Sequence, residues 1–402
     1  MNKIEQLKKN IKRQYTFVVL SNLGFTRGVW MIFLAARGLS LIELGLLESI
    51  FHVTSLLMEV PTGAIADIYG RRVSRILGRV IHIFSLIAMV STFNFPVAII
   101  SFVLSALSYN LESGAGTALI YDSMKQTETE GDFLKVSGRT EFLYQTTSVA
   151  AFIIGGTLAT FTHEWAFAAE ILISLVVLVQ SFTFVEPDVG RRDPDEFKHA
   201  GHAMVTQLKE ASSAFKKNPN IAFLMLSVSG LSAFVTTQFF YIQNYMKQGG
   251  ATEATVGVIL SIASIVSAFA GAQAYRLRKW KESLVLRVLP AIMVVGFLLV
   301  GYTDLEILGF VIVSAMEGVL YVMNMDYLNK RIPSDQRATL LSFDSMAHSL
   351  VMIGLFPLVG WLGDQWGLKF AFSVSAVIVT LVAGWVWIGA SRLDHEHKDV
   401  GE

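Results

Sequence analysis

EVPTGAIADIYGRR, the segment Glu59–Arg72, joins two long apolar stretches that cover residues 41–66 and 73–95. Stretches of roughly 20 residues or more are long enough for a tilted helix to cross about 30 Å of hydrocarbon. A polar segment between two such stretches predicts a short loop at a membrane surface, with a spanning helix on either side.

The composition of the whole chain agrees with a membrane protein. Of its 402 residues, 53% are hydrophobic and 16% are charged, an apolar excess that no single water-facing globule could bury. The formal net charge is zero, so no nucleic-acid partner is expected. The chain has no cysteine, which excludes disulfides, thiolate catalysis and cysteine metal sites.

Apolar stretches of this length recur along the chain, and the basic N-terminus runs into the first of them without a small-residue cleavage site. We predict twelve spans, at residues 14–37, 41–66, 73–95, 96–123, 139–162, 165–186, 218–246, 252–275, 283–302, 306–330, 338–362 and 368–390.

The distribution of lysine and arginine predicts the orientation. With a cytoplasmic N-terminus, the outer loops hold only Arg37, Lys247 and Lys369, and Arg27 lies within a span. The other basic residues fall at or near the inner face, as the positive-inside rule requires. An even number of spans then places both termini in the cytoplasm.

The longest polar segment, residues 187–217, predicts a cytoplasmic linker between two six-span domains at 1–186 and 218–402. The two domains also resemble each other weakly. Glu112 and Asp122 in span four have counterparts in Glu317 and Asp326 in span ten. An internal duplication explains such pairings; chance similarity among apolar helices is the alternative.

Within the opening segment, Gly63 allows close helix approach and Gly70 a tight turn, while Asp67, Arg71 and Arg72 form a compact charge cluster. The pattern G-x-x-x-D-x-x-G-R-R resembles the signature loop of the major facilitator superfamily, at the expected inner position of a twelve-span chain. The resemblance implies two six-helix bundles around a cavity that opens alternately to each side of the membrane.

The resemblance also implies that the charge cluster latches the outward-open state, with Asp67 near the N-terminus of span eleven, where the helix dipole favours a carboxylate. Asp122 is then a partner for Arg71. The alternative is that Arg71 and Arg72 only anchor the topology. The second half keeps a degenerate copy of the loop, with Tyr275 where the acid should be, so any latch there is weaker or different.

The stretches Glu59–Gly63 and Ser113–Ser123 are similar to a bacterial branch usually grouped with drug exporters. Two departures weaken this assignment: Asn110 replaces an arginine that drug/proton antiporters commonly carry, and the glycine motif of span five, Ala151–Gly156, lacks its proline. Export is therefore an inference by analogy.

Arg27 and Glu112 lie about halfway through spans one and four, where each would cost roughly 3 kcal/mol to insert. We expect them to face the bundle interior and to contact each other, as a substrate or proton site; a purely structural pair is the alternative. Protonation of Glu112 in one state of the cavity is a hypothesis.

Other ionisable residues also fall inside predicted spans. Glu317 has no obvious arginine in adjoining spans and is a second proton-carrier candidate, or else a hydrogen-bonded structural residue. Glu48 with His52, and Asp344 with His348, are spaced one helical turn apart, so each couple forms a local pair or a gate. His82 is read as a packing residue. Without companions at metal-site spacing, we expect no bound metal or cofactor.

Span seven is rich in hydroxyl and amide side chains, including Gln238 and Tyr241, which lie among Phe234, Phe239 and Phe240. Such a helix needs a wet or protein-buried side. It suits contact with a broad amphipathic substrate, or hydrogen bonding between helices.

We therefore expect an all-α membrane protein with twelve transmembrane helices in two pseudo-symmetric six-helix bundles. Its expected function is proton-coupled efflux of small amphipathic compounds, as a monomer in a bacterial inner membrane, with substrate, protons and lipids as partners. Uptake of a polar metabolite and lipid translocation are the alternatives. An enzyme is not expected, because no constellation of nucleophile, base or metal ligands is visible.

Overall fold

The computed structural model describes residues 2–188, 219–331 and 337–392, and these contain helices and no β-strand. The described α-helices are α1 Lys3–Ser21, α2 Trp30–Ala36, α3 Leu41–Tyr69, α4 Arg71–Val90, α5 Phe95–Gln126, α6 Phe133–Phe161, α7 His163–Ser181, α8 Pro219–Gln248, α9 Glu253–Gln273, α10 Glu282–Tyr302, α11 Glu306–Arg331, α12 Arg337–Trp366 and α13 Leu368–Gly389.

Eleven of the described helices are long and apolar enough to cross a membrane, which confirms the predicted fold class. The prediction was wrong in detail at the first span. Residues 14–37 do not form one helix; they contain the end of α1 and the whole of α2, separated by non-helical residues 22–29. The break falls near the middle of the stretch, so about a turn or two of helix lies on either side of it.

Local sequence explains where the helices begin and end. Gly70 alone separates α3 from α4, with a φ of +106° that disfavours any residue with a side chain. This confirms the predicted tight turn. Asn94 and Thr162 accept hydrogen bonds from the backbone N–H groups of Val97 and Glu164, and so cap α5 and α7.

The helices group into two compact units. The first contains α1, α2, α4 to α7, the part of α3 from Ile50 onward, and Thr252–Ser261 around the start of α9. The second contains Ser40–Ser49 around the start of α3, the remainder of α9, and the other described helices. Most of the predicted linker, from residue 189 to 217, lies outside the described residues.

Small residues allow close helix contacts within each unit. In the first, a Cβ on Gly78 of α4 would lie 3.3 Å from Ser108 O of α5, and the Ser74 hydroxyl donates to Leu111 O at 2.7 Å. In the second, a Cβ on Gly296 of α10 would lie 2.9 Å from Gly309 O of α11. The two helix pairs occupy corresponding positions in the chain, as an internal duplication predicts.

Candidate functional site

The signature loop of the first unit is built around Arg71. The Arg71 guanidinium forms an ion pair with Asp122, as predicted, and donates a hydrogen bond to Ala118 O at 2.8 Å. This contact ties the start of α4 to the C-terminal half of α5. The gating roles of Gly63, Asp67 and Arg72 stay predictions.

Glu186 completes this cluster, and sequence reasoning missed it. Its carboxylate oxygens accept from the backbone N–H groups of Arg71 at 2.8 Å and Arg72 at 2.7 Å, so they cap the N-terminus of α4. The Arg72 guanidinium donates to Phe182 O at 2.7 Å. No local pattern could reveal this cap, because Glu186 is more than a hundred residues away in the chain.

The degenerate loop of the second unit also keeps an ion pair. Arg278 lies 3.4 Å from Asp326, the counterpart of Asp122, and Lys330 lies 2.6 Å from the same carboxylate. The side chain of Arg278 is 64% exposed. The loop without its acid therefore retains a weaker version of the first unit's contact, since exposed pairs contribute little.

Glu112 forms an ion pair with Arg75, and the predicted contact between Arg27 and Glu112 was wrong. Arg75 Nε lies 3.0 Å from Glu112 Oε1, and Arg75 is fully buried. Arg75 starts one turn into α4 and its side chain extends along the helix toward α5. The sequence analysis did not single out Arg75, which it counted only among the basic residues at or near the inner face.

The enclosure around Arg75 is aromatic and polar. Its guanidinium lies 4.1 Å from the ring centroid of Phe17 and 4.6 Å from that of Phe184, and it donates to Gln14 Oε1 at 2.9 Å. A Cβ on Gly116 would lie 2.5 Å from Arg75 Nη2. Ring faces, an amide oxygen and a carboxylate together offset part of the desolvation of the guanidinium, whose Nε and Nη2 have no hydrogen-bond partner among the described residues.

Arg27 lies in the break of the first span and its side chain is exposed. It donates a hydrogen bond to the Tyr144 hydroxyl at 3.0 Å. The segment is held by α6 and α7: a Cβ on Gly155 would lie 2.0 Å from Phe25 O, and Thr26 N donates to Glu170 Oε2 at 2.7 Å.

His82 also contacts Glu170. Its Nε2 lies 3.5 Å from Glu170 Oε1. The interpretation of His82 as a satisfied packing residue stays a prediction. The sequence analysis did not single out Glu170. Its hydrogen bond from the backbone N–H of Thr26 joins residues that are far apart in the chain, so no local sequence pattern predicts it.

In the second unit, hydroxyl groups of α8 bind the predicted carboxylates. The Ser232 hydroxyl lies 3.4 Å from Glu317 Oε1, and the Ser229 hydroxyl donates to Asp344 Oδ1 at 2.7 Å. The backbone of Ser229 also interacts with His348. Both carboxylates are therefore placed by neutral donors of the helix that the sequence identified as polar.

Gln238 and Tyr241 differ in their surroundings. The Tyr241 hydroxyl lies 2.9 Å from Leu41 O and 3.0 Å from Phe356 O, so it is engaged within the protein. Gln238 is only 2% exposed, and neither of its amide atoms has a hydrogen-bond partner among the residues described. Asn324 on α11, 1% exposed, has the same property within that part of the chain.

The start of α3 belongs to the second unit. Asp364 accepts from the backbone N–H groups of Leu41 at 2.9 Å and Ile42 at 2.8 Å. Glu48, one turn beyond Leu44, is buried. The predicted pairing of Glu48 with His52 and the gating role stay predictions.

The chain resembles known proteins in both sequence and fold. The family model of the major facilitator superfamily matches residues 16–349. The uncharacterized MFS-type transporter YxaM of Bacillus subtilis (strain 168) is 22% identical over 375 residues, which cover 91% of this chain and 92% of that protein.

Solved structures with the same fold include three transporters of low sequence identity. The nucleoside transporter NupG has a TM-score of 0.70 at 15% identity, over 97% of this chain and 99% of that one. A D-xylose–proton symporter has 0.66 at 14%, over 96% of each chain. A bacterial homologue of the human lysosomal transporter Spinster has 0.69 at 16%, over 96% and 97%. With its matching family model, signature loop and spanning helices, the chain belongs to the major facilitator superfamily and is a multi-pass membrane transporter.

Proposed function

We propose that this transporter couples proton movement to the export of a small amphipathic organic molecule by alternating access. The buried ion pair of Arg75 with Glu112 carries the proposal. A fully buried guanidinium is expensive in a membrane protein, and such residues mark ion and substrate pathways.

The pair supplies a proton switch. Arg75 Nε lies 3.0 Å from Glu112 Oε1, so the guanidinium charge compensates the charge of the carboxylate. Glu112 accepts a proton once the pair separates, because the carboxylate then loses its compensating charge. Transport coupled to that separation moves protons with the solute.

The second unit offers the contacts for an amphipathic solute. Gln238 brings an amide without a partner among the described residues. Aromatic rings lie close by on the same helix and on α11: Phe239 and Phe240 have centroids 5.3 Å apart, and Phe239 lies 6.3 Å from Phe310. Rings and a few polar groups tolerate substrates that differ in shape.

Proteoliposomes with an imposed pH gradient test the proposal. Ethidium serves as the amphipathic probe, and proton movement is followed with an entrapped pH dye. Export coupled to protons predicts that ethidium and protons move in opposite directions. The E141Q variant is the matched control, since Glu141 is exposed and accepts a hydrogen bond from Gln145 on its own helix. Ethidium movement at the same rate with and without the pH gradient contradicts the proposal.

Uptake of a polar metabolite is the second candidate. The buried amides of Gln238 and Asn324 favour a solute rich in hydrogen-bonding groups. The fold neighbours named as a nucleoside transporter and a D-xylose–proton symporter are proteins of that kind. Uridine and D-xylose in the same vesicles distinguish the candidates, because symport moves solute and protons in the same direction.

The proposed setting is a bacterial inner membrane, with a single copy of the chain and both termini in the cytoplasm. The basic residues that the sequence analysis placed on the inner face support this orientation. Cysteine substitutions at exposed Lys8 and Lys247 test it: a membrane-impermeant maleimide applied to intact cells should label position 247 and leave position 8 unlabelled.

A further inference from the structure

A carboxylate of α12 holds the first turn of α3. Asp364 accepts hydrogen bonds from Leu41 N at 2.9 Å and from Ile42 N at 2.8 Å, so both of its oxygens bind one helix N-terminus. A Cβ on Gly360, one turn earlier in α12, would overlap Leu41 O. The glycine therefore lets the two backbones meet, and the carboxylate binds the N–H groups that this approach presents.

The residues around Asp364 repeat the pattern of the signature loop. Gly360–Gly367 has the pattern G-x-x-x-D-x-x-G, as Gly63–Gly70 does. The final glycines of the two segments have positive φ angles, +85° and +106°, and a helix follows each of them directly. Because Asp364 contacts the first turn of α3 and the signature loop follows its last turn, the two copies lie at opposite membrane faces.

The start of α9 makes an equivalent contact with α6. Ala254 N donates to the Thr160 hydroxyl at 3.1 Å, and a Cβ on Gly156 would overlap Glu253 O. Thr160 follows its glycine at the same spacing as Asp364 does. Further contacts repeat in the same order on the two helix pairs: Gly45 lies against Phe356 O and Gly257 against Phe152 O, and the hydroxyls of Ser49 and Ser261 donate to Ile353 O at 2.7 Å and Val149 O at 3.0 Å. An internal duplication explains these matched contacts.

Both helices also keep an N-cap of their own. Ser40 Oγ accepts from Glu43 N at 3.3 Å and Glu43 Oε2 accepts from Ser40 N at 2.8 Å, which is a capping box. At the start of α9, Thr252 Oγ1 accepts from Thr255 N at 3.2 Å. Asp364 is exposed, so water can take over its hydrogen bonds. The helix ends therefore stay capped when α12 or α6 moves away.

Each docked segment belongs to a helix that continues in the other unit. Ser40–Ser49 groups with the second unit, while the rest of α3 groups with the first. Thr252–Ser261 groups with the first unit, while the rest of α9 groups with the second. A movement between the units therefore requires that these helices bend or that their starts detach.

We propose that Asp364 is a reversible latch that holds the start of α3 on α12, and that Thr160 is its weaker counterpart for α9. This inference rests on the alternating access of the proposed function. A carboxylate at a helix N-terminus also interacts with the helix dipole, whereas a hydroxyl supplies a neutral acceptor. Release of Asp364 frees the start of α3, as opening at the membrane face opposite the signature loop requires.

Thiol labelling of the detergent-purified protein tests the latch, with a maleimide dye as the probe. The chain has no cysteine, so S49C introduces a single thiol in the docked part of α3, where Ser49 is 7% exposed. In this background D364A should raise the labelling rate about fivefold, because an N-terminal capping interaction is worth about 1 kcal/mol. Q365A, at the exposed neighbouring residue, should leave the rate unchanged. Equal rates for D364A and Q365A overturn the inference.

Two glycine variants give an independent measurement if D364A fails to fold. G360A puts a methyl group against Leu41 O and should also raise the labelling rate of S49C. G354A is the control on the same helix, because no described atom lies within 4 Å of a Cβ there. Equal rates for G360A and G354A overturn the inference.

A second thiol position distinguishes release of the latch from unfolding. Ser101 of α5 is fully buried and donates to Ser85 O of α4 at 2.9 Å, so S101C should stay unlabelled in every variant. If S101C is labelled as fast as S49C in both D364A and G360A, the contact serves only the stability of the fold, and the inference is overturned.

The labelling follows neither solute nor protons, so its outcome is independent of the transport assay. If ethidium moves at the same rate with and without the pH gradient while D364A speeds labelling, the latch stands and the proton coupling falls. If export follows the gradient and D364A is labelled at the rate of Q365A, the latch alone falls.

Discussion

The first spans of the two units differ in their backbone structure. In the first unit the span is broken into α1 and α2, and Glu170 accepts a hydrogen bond from the buried backbone N–H of Thr26 in the break. In the second unit the corresponding helix, α8, is continuous from Pro219 to Gln248. It carries a buried amide, Gln238, that has no hydrogen-bond partner in the described parts of the chain.

The difference extends to the charges. In the first unit, Glu112 lies against the Arg75 guanidinium and Glu170 lies against the His82 imidazole. In the second unit, Glu317 and Asp344 are met by the neutral hydroxyls of Ser232 and Ser229. The two units therefore differ in the partners of their carboxylates: an arginine and a histidine in the first unit, and neutral hydroxyl groups in the second.

Removing Arg75 should have the largest effect. R75M leaves Glu112 without its buried partner, and breaking such a pair costs about 3 to 5 kcal/mol. Thermal unfolding of the detergent-purified protein should show a large drop in Tm. The double variant R75M/E112M should recover most of the loss, because no isolated charge remains. A double variant as unstable as R75M would refute the view that the charges compensate each other.

A methyl group added at Gly155 should have the second-largest effect on stability. G155A places its Cβ against Phe25 O, at a distance that forces the broken segment to move. Overpacking of this kind costs about 1 to 3 kcal/mol. G114A is the control, because nothing lies within 4 Å of a Cβ there; its Tm should stay close to that of the wild type. Equal Tm values for the two variants would show that the break does not depend on α6.

Replacing a buried amide that has no hydrogen-bond partner among the described residues should raise the stability of the protein. N324L replaces a fully buried amide by an apolar side chain of similar size, which should stabilise the protein by about 1 kcal/mol or more, because a buried unsatisfied group is removed. Transport of the probe solute should weaken at the same time if the amide binds solute. Loss of stability in N324L would mean that the amide has a structural partner.

Substitutions in the two signature loops should have the smallest effects on Tm. R71A removes a partly buried ion pair and a hydrogen bond to Ala118 O, whereas R278A removes a pair whose arginine is mostly exposed. Exposed pairs contribute about 0 to 1 kcal/mol, so R278A should leave Tm nearly unchanged and R71A should lower it. A larger fall in Tm for R278A than for R71A would show that the loop of the second unit contributes more to stability than the loop of the first.

The sequence predicted the fold because hydrophobic length and the signature loop are local signals. Gly70, Arg71 and Asp122 were placed correctly for the same reason: glycine geometry and a family pattern determine them. The break at residues 22–29 was missed because the length and overall hydropathy of residues 14–37 suit a single span, although Asn22, Gly24 and Gly28 are local signals against a continuous helix. The contacts that hold the broken segment lie elsewhere in the chain, at Gly155 and Glu170.

The partner of Glu112 was wrong for a related reason. Charge counting paired it with Arg27, the one arginine at the same predicted depth. The long side chain of Arg75, enclosed by Phe17 and Phe184, reaches the carboxylate from one turn inside α4. Side-chain reach and aromatic enclosure are tertiary properties, and a single sequence does not encode them in any local pattern.

The E112Q variant in proteoliposomes tests the central claim most directly. The amide keeps the size of the side chain and cannot exchange a proton. If the Arg75–Glu112 pair couples protons to solute, E112Q should lose solute movement driven by a pH gradient and should retain exchange of labelled for unlabelled solute without a gradient. Gradient-driven movement equal to that of the wild type would contradict the account.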